Sequence, residues 1–201
     1  WEEPLLVRKA HDAYRWLPDG QPLLGQAPDF AALYLLRDPW DVAVSMTNHF
    51  SCTLDEAVAN LSDPDFAVAR SRKGLSSQLR QELSSWEGHA LGWLRAPLDL
   101  CLLRYEAMQR DPLPTFRRAV RFLGLEHEDA AIAVALEASR FERLQRLEAE
   151  QRFREAPPNT RTFFRRGAVG EGLARLAAAQ REPLEAMRAR VEAAIAARGL
   201  E

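Results

Sequence analysis

The sequence predicts an α/β fold of three layers, a central parallel sheet flanked by helices, on three observations. Residues 31–36 and 98–103 are short, largely apolar runs of the kind that fill strands buried on both faces. The first passes into helix chemistry at one arginine, Arg37, followed by Asp38 and Pro39. Longer stretches between and after the strands repeat apolar residues every three or four positions, so helices alternate with strands.

Taken in order, Pro4 to Arg8 reads as a short strand with Lys9, Ala10, His11 and Asp12 at its end. Residues 15–29 carry Pro18, Gly20, Pro22, Gly25 and Pro28 and read as loop. After the strand at 31–36, Pro39 suits the first turn of a helix reaching about residue 50, and Asp38 can cap it. The polar segment 51–74 is weakly periodic and predicts a mobile flap with a short helix near 55–61. Leu75, Leu79, Leu83, Trp86, Ala90 and Trp93 or Leu94 recur at helical spacing, which predicts one long helix ending before Pro97. A strand at 98–103 closes with Arg104, Tyr105 and Glu106. Phe116, Ala119, Val120 and Leu123 mark a helix stopped at Gly124, and two more helices cover 128–138 and 140–151. The tail, 181–198, is helical with Leu184, Met187, Val191 and Ile195 on one face.

The chain has 201 residues, 47% hydrophobic and 28% charged, enough for one core and one domain spanning 1–201. A net charge of −2 argues against a nucleic-acid partner, which leaves a broad basic excess. Cys52 and Cys101 are too few for a disulfide scaffold, and the expected setting is a reducing cytoplasm. No run approaches the ~20 apolar residues of a membrane span, and no acidic cluster has metal-ligand spacing.

Arg37 at the strand end and the Ser45 hydroxyl in the second helical turn both face the positive end of a helix dipole, where a phosphate is favoured. The wording around them sharpens this. Arg-Asp-Pro-x-Asp-Val-Ala-Val-Ser resembles the 3′-phosphate-binding segment of sulfotransferases that use 3′-phosphoadenosine-5′-phosphosulfate, and Arg37 and Ser45 match its arginine and serine.

Further segments resemble that family in the same order. Lys9-Ala10-His11 is similar to its Lys-Thr-His element, which implies His11 as general base toward the acceptor and Lys9 beside the transferring group; an imidazole titrates near neutrality, as such a base requires. Arg104-Tyr105-Glu106 resembles the segment that puts a tyrosine, here Tyr105, by the nucleotide. Ser139-Arg140-Phe141 is similar to the Ser-x-Phe element that brackets adenine. Phe163-Phe164-Arg165-Arg166-Gly167-Ala168-Val169-Gly170-Glu171 resembles the Arg-Lys-Gly-x-x-Gly-Asp-Trp segment, which implies Arg165, Arg166 and Gly167 as the second half of the phosphate clamp. Gly172 stands where the family has tryptophan, which predicts looser packing of this loop. Trp86 to Trp93 resembles a helix of bacterial members and reads as structural.

The resemblance implies a P-loop-like three-layer fold and transfer of a sulfuryl group from 3′-phosphoadenosine-5′-phosphosulfate to a small-molecule hydroxyl or amine, with adenosine 3′,5′-bisphosphate as product and no metal. The family's upstream glycine-rich loop, of the Pro-Lys-Ser-Gly-Thr-Thr type, matches nothing here, so the expectation is a fold incomplete at its N-terminus and a chain excerpted from a longer one. The alternative is a non-catalytic nucleotide-binding domain of the same fold.

Overall fold

A computed structural model describes residues 6–28, 30–69, 79–153 and 162–200. In chain order they form β1 (Ala31–Leu36), α1 (Pro39–His49), α2 (Leu54–Ser62), β2 (Ala67–Val68), β3 (Gln81–Glu82), α3 (Trp86–Arg95) and β4 (Asp99–Arg104). Then follow α4 (Tyr105–Arg110), α5 (Pro112–Phe122), α6 (Asp129–Ala138), α7 (Phe141–Gln151), α8 (Glu171–Arg175) and α9 (Ala178–Arg198).

The apolar runs pair as predicted. β1 and β4 are parallel, in register from Ala31 with Asp99 to Leu36 with Arg104. Alternation along the strands divides their side chains between two layers. Ala32, Tyr34, Leu36, Leu100 and Leu102 join the main core, which the buried faces of α1, α2, α3 and α9 complete. Cys101 and Leu103 face the other way, onto Ala119 of α5, with Met108 and Phe122 beside it. Leu184, Met187, Val191 and Ile195 are all buried along α9, as the tail pattern requires. Arg198, at the end of that helix, donates to the carbonyl of Leu94, in the last turn of α3, and to that of Leu98 beyond it, the latter at 2.7 Å.

Several local expectations are corrected. Residues 6–8 form no strand: Leu6 and Val7 meet no sheet edge and stand 73% and 71% exposed, while Pro4 and Leu5 lie outside the described residues. Leu75 lies outside the described residues, and from 79 onward the expected long helix is shorter, beginning at Trp86. Ser84 has a φ of 62°, and the Ser85 hydroxyl caps the helix by accepting the Gly88 N–H at 3.0 Å. Leu79, supposedly on the buried stripe, is 87% exposed, and residues 81–82 pair antiparallel with 67–68 instead. Within the segment expected as a flap, α2 is an ordered, packed helix: Thr53 and Glu56 form a reciprocal cap, and Ala57 and Leu61 are buried. Residues 70–74 of that segment lie outside the described residues. Asp38 starts α1 without a side-chain cap, because its carboxylate accepts from Arg188 Nε at 2.6 Å. The tail helix begins at Ala178, three residues early, and carries Pro183 within it.

Candidate functional site

A cavity of about 860 Å³ opens beyond the C-terminal ends of β1 and β4. Its lining includes Arg37, Ser45, Tyr105, Ser139, Phe141, Arg165, Arg166 and Gly167. These eight residues come from five separate stretches of sequence. β1 delivers Arg37, α1 delivers Ser45, the start of α4 delivers Tyr105, the α6–α7 junction delivers Ser139 and Phe141, and the loop before α8 delivers the rest.

Arg37 joins three of these pieces. Its guanidinium lies 4.3 Å from the Tyr105 ring centre and donates to the carbonyl of Ala168 at 2.7 Å. Its Nε is buried and has no hydrogen-bond partner among the described residues. The Tyr105 hydroxyl donates to the Gly167 carbonyl at 2.8 Å, and burial raises the pKa of that phenol while Arg37 opposes the rise. The Glu106 carboxylate accepts the Asp38 N–H at 2.9 Å, tying the β1–α1 turn to the β4–α4 turn.

The loop from 162 to 170 has no ladder of its own and is held by side chains. Arg165 makes a two-pronged contact with Glu171 at 3.0 and 2.7 Å, while Arg166 lies 3.7 Å from the same carboxylate and Arg175 3.2 Å. Hydrogen bonding from Arg165 is the main force holding Glu171 below the usual carboxylate range, against burial. From α7, Gln145 donates to the carbonyls of Phe164 and Arg165 at 2.8 and 3.3 Å, and Glu148 accepts the N–H groups of Phe163 and Phe164 at 2.5 and 3.0 Å. Gly167 has a φ of +60°, and a Cβ there would lie 2.7 Å from the Phe141 ring. Residues 154–161, which precede this loop, lie outside the described residues.

Looser packing at Gly172 is not what the structure contains. Gly172 is buried, and a Cβ would fall 2.2 Å from the Trp40 carbonyl oxygen, so the loop closes onto α1 because there is no side chain. The carboxylate of Asp41, 1% exposed, accepts the N–H groups of Gly170 and Gly172, both at 2.7 Å.

Lys9 and His11 are exposed and are not among the residues lining the cavity. The His11 backbone is nevertheless fixed from α3. His89 Nε2 lies 3.1 Å from the His11 carbonyl, and its Nδ1 lies 2.9 Å from the Tyr34 hydroxyl. A carbonyl only accepts, so Nε2 carries the proton and Nδ1 accepts from Tyr34. Trp93 Nε1 donates to the Asp12 carbonyl at 3.1 Å, and the Asp12 carboxylate accepts the Glu82 N–H at 2.7 Å. His89 and Trp93, one turn apart on α3, each stack on the Tyr34 ring. His49, which does line the cavity, is held below the ordinary histidine value first by burial and then by the charge of His11.

The comparisons with known proteins concern the fold and the family. A family model described as a sulfotransferase domain covers residues 24–190. The chain belongs to the sulfotransferase domain family. Cytosolic sulfotransferase 16 of Arabidopsis thaliana is 30% identical over 155 residues, 69% of this chain and 44% of that protein. Flavonol 3-sulfotransferase of Flaveria bidentis is 27% identical over 175 residues, 80% of this chain and 53% of that protein. The chain thus spans about half the length of the curated relatives it matches. A mouse sulfotransferase complexed with PAP shares the fold with a TM-score of 0.60 at 18% identity, covering 79% of this chain and 57% of that one. Retinol dehydratase in complex with androsterone and the inactive cofactor PAP does so with a TM-score of 0.56 at 20% identity, covering 79% and 46%.

Sequence patterns alone do not reveal how much of this sulfotransferase domain's site is held by acidic and amide side chains. Asp41 sits inside the recognised Arg37–Ser45 wording, but only tertiary structure gives its carboxylate the two glycine N–H groups. Gln145 and Glu148 lie on a polar face of α7 that reads as solvated. Among the described residues there is no cluster fit to hold a metal ion, and no helix is long and apolar enough to cross a membrane.

Proposed function

We propose that this domain binds 3′-phosphoadenosine-5′-phosphosulfate and serves transfer of its sulfuryl group to a hydroxyl or amine of a small-molecule acceptor. The observation that carries the reading is the convergence of Arg37, Ser45, Tyr105, Ser139, Phe141, Arg165, Arg166 and Gly167 around one cavity. At about 860 Å³ the cavity is of the size that takes a small-molecule or cofactor ligand. The buried Nε of Arg37 lacks an acceptor among the described residues, and Gly167, at a φ of +60°, brings the loop backbone against the Phe141 ring with no side chain between them.

In this reading Arg37, Ser45, Arg165, Arg166 and Gly167 hold the 3′-phosphate, and Tyr105, Ser139 and Phe141 adjoin the nucleoside. The donor, when bound, supplies the activated sulfuryl group. His11 takes the proton that the acceptor loses, and Lys9 stabilises charge near the transferring group. The pairing of Arg165 with Glu171 fixes a guanidinium before any ligand arrives, so little reorganisation accompanies binding. No metal enters this chemistry. Names of relatives such as cytosolic sulfotransferase 16 support a cytoplasmic setting.

The exposure of Lys9 and His11 outside the cavity lining favours a second reading, a nucleotide-binding domain without turnover. One pair of measurements decides between them. Calorimetric titration with adenosine 3′,5′-bisphosphate is expected to show binding that Arg37→Ala weakens, and labelled donor with a panel of phenols and amines is expected to yield sulfated product that His11→Ala abolishes. Binding without product supports the second reading, and absence of binding defeats both.

A further inference from the structure

We propose that Glu148, assisted by Gln145, is a positioning residue for the arginine-bearing loop, so that an acidic side chain strengthens the binding of an anion. This rests on the reading that the loop binds a nucleotide phosphate.

Phe141, Gln145 and Glu148 stand at i, i+4 and i+7 and share one face of α7. All three address the same stretch of loop. Phe141 meets Gly167 and packs edge-on against Phe164 with ring centres 6.2 Å apart. Gln145 covers two consecutive carbonyls and Glu148 two consecutive N–H groups, immediately before Arg166. Residues 162–170 themselves belong to no strand or helix, and among the described residues no strand pairs with them to satisfy those backbone groups. The two side chains replace a ladder and fix the direction in which Arg165, Arg166 and Gly167 leave it.

The sign of the effect separates positioning from simple charge. If Glu148 acts only as a nearby negative charge, removing that charge improves binding of a phosphate. If it positions the loop, Glu148→Gln weakens binding, because the amide keeps one acceptor oxygen and turns an NH₂ toward a backbone N–H. The expected loss is roughly three- to tenfold in affinity for adenosine 3′,5′-bisphosphate, the range of one or two hydrogen bonds. Gln145→Met removes the partner contacts without altering charge and is expected to weaken binding in the same direction, which keeps the test open if Glu148→Gln folds poorly.

A second readout does not need the nucleotide. In amide NMR spectra, the Phe163 and Phe164 N–H signals, both bonded to a carboxylate, are expected to move upfield in Glu148→Gln. Unchanged or tighter nucleotide binding in both variants overturns the inference and leaves the proposed function standing. Unmoved amide signals also overturn it. If the unaltered protein fails to bind adenosine 3′,5′-bisphosphate, the proposed function falls and this inference falls with it.

Discussion

The Asp41 carboxylate and the Gly172 N–H meet at 2.7 Å across 131 residues of sequence, in a place where neither is accessible to water. This contact and its twin at Gly170 join the helix after β1 to the loop that carries the arginine pair. Hydrogen bonds from N–H groups to an ionised acceptor are stronger than neutral ones, and the donors cannot turn to solvent if the acceptor is lost. Asp41→Ala is therefore expected to lower stability by about 2–4 kcal/mol. Urea denaturation measures it, and a midpoint shift below the equivalent of ~0.5 kcal/mol, typical of a surface change, rejects the assignment.

Gly172→Ala tests the other partner. The added Cβ falls 2.2 Å from a main-chain oxygen of Trp40, which has no rotamer to relieve it, so α8 must separate from α1. The expected result is a destabilised protein whose nucleotide affinity drops as well. Wild-type stability would mean that the loop and α1 are not in this contact in solution.

Gly167→Ala is expected to act differently, on the site more than on the fold. Its φ of +60° and its 2.7 Å approach to Phe141 both oppose a side chain, but Phe141 is only half-buried and can swing away. The backbone penalty is about 1–2 kcal/mol. In a double-mutant cycle, Phe141→Ala is expected to recover the steric part of the lost nucleotide affinity and leave the backbone part. Strict additivity of the two losses refutes contact between Gly167 and Phe141.

Acid sensitivity follows from two imidazoles. His49 and His89 are both held below the ordinary value of 6.5, in each case chiefly by burial. As pH falls through that value, the unfolded chain takes up protons that the folded one refuses, so stability declines between about 6.5 and the lowered folded values. Unfolding midpoints measured from pH 7.5 to 5 are expected to fall, and His89→Gln is expected to flatten the slope. A slope that is the same in both proteins removes His89 from the account.

The legible parts of this molecule were those in which a local pattern coincides with burial. The run Ala31–Leu36 is a strand because its alternate side chains fill two layers, and Leu184, Met187, Val191 and Ile195 mark a buried stripe by spacing alone. The error at 79–85 has a tertiary cause: the N–H groups of Leu83 and Ser84 both bond the Phe66 carbonyl, and Ser84 turns left-handed, so a helix-period pattern yields to strand pairing and a cap. At the site, composition and spacing suggested a phosphate near Arg37 and Ser45. The residues 105, 139–141 and 165–167 came from likeness to a family, since no periodicity brings segments more than a hundred residues apart to one cavity. Gln145 and Glu148 stayed hidden because their partners are main-chain groups, which leave no trace in residue identity.

His89 provides the last test, because its proton is already located by its partners. With Nε2 bonded to the His11 carbonyl and Nδ1 accepting from Tyr34, the neutral ring must hold its hydrogen on Nε2. Long-range proton–nitrogen NMR is expected to show that tautomer near pH 7.5, and the opposite one refutes the chain of contacts. His89→Gln keeps an N–H for His11, whereas His89→Leu removes it and leaves the residues before Asp12 tethered by neither nitrogen. The glutamine protein is therefore expected to retain slow exchange of the Ala13 N–H, which bonds the Glu82 carbonyl at 2.9 Å, and the leucine protein to lose it roughly tenfold or more, as for one hydrogen bond. If His11 takes the acceptor's proton, the leucine protein also loses turnover while its affinity for adenosine 3′,5′-bisphosphate is unchanged, since His89 does not line the cavity. A parallel fall in nucleotide affinity would show that His89 supports the whole site and not His11 in particular.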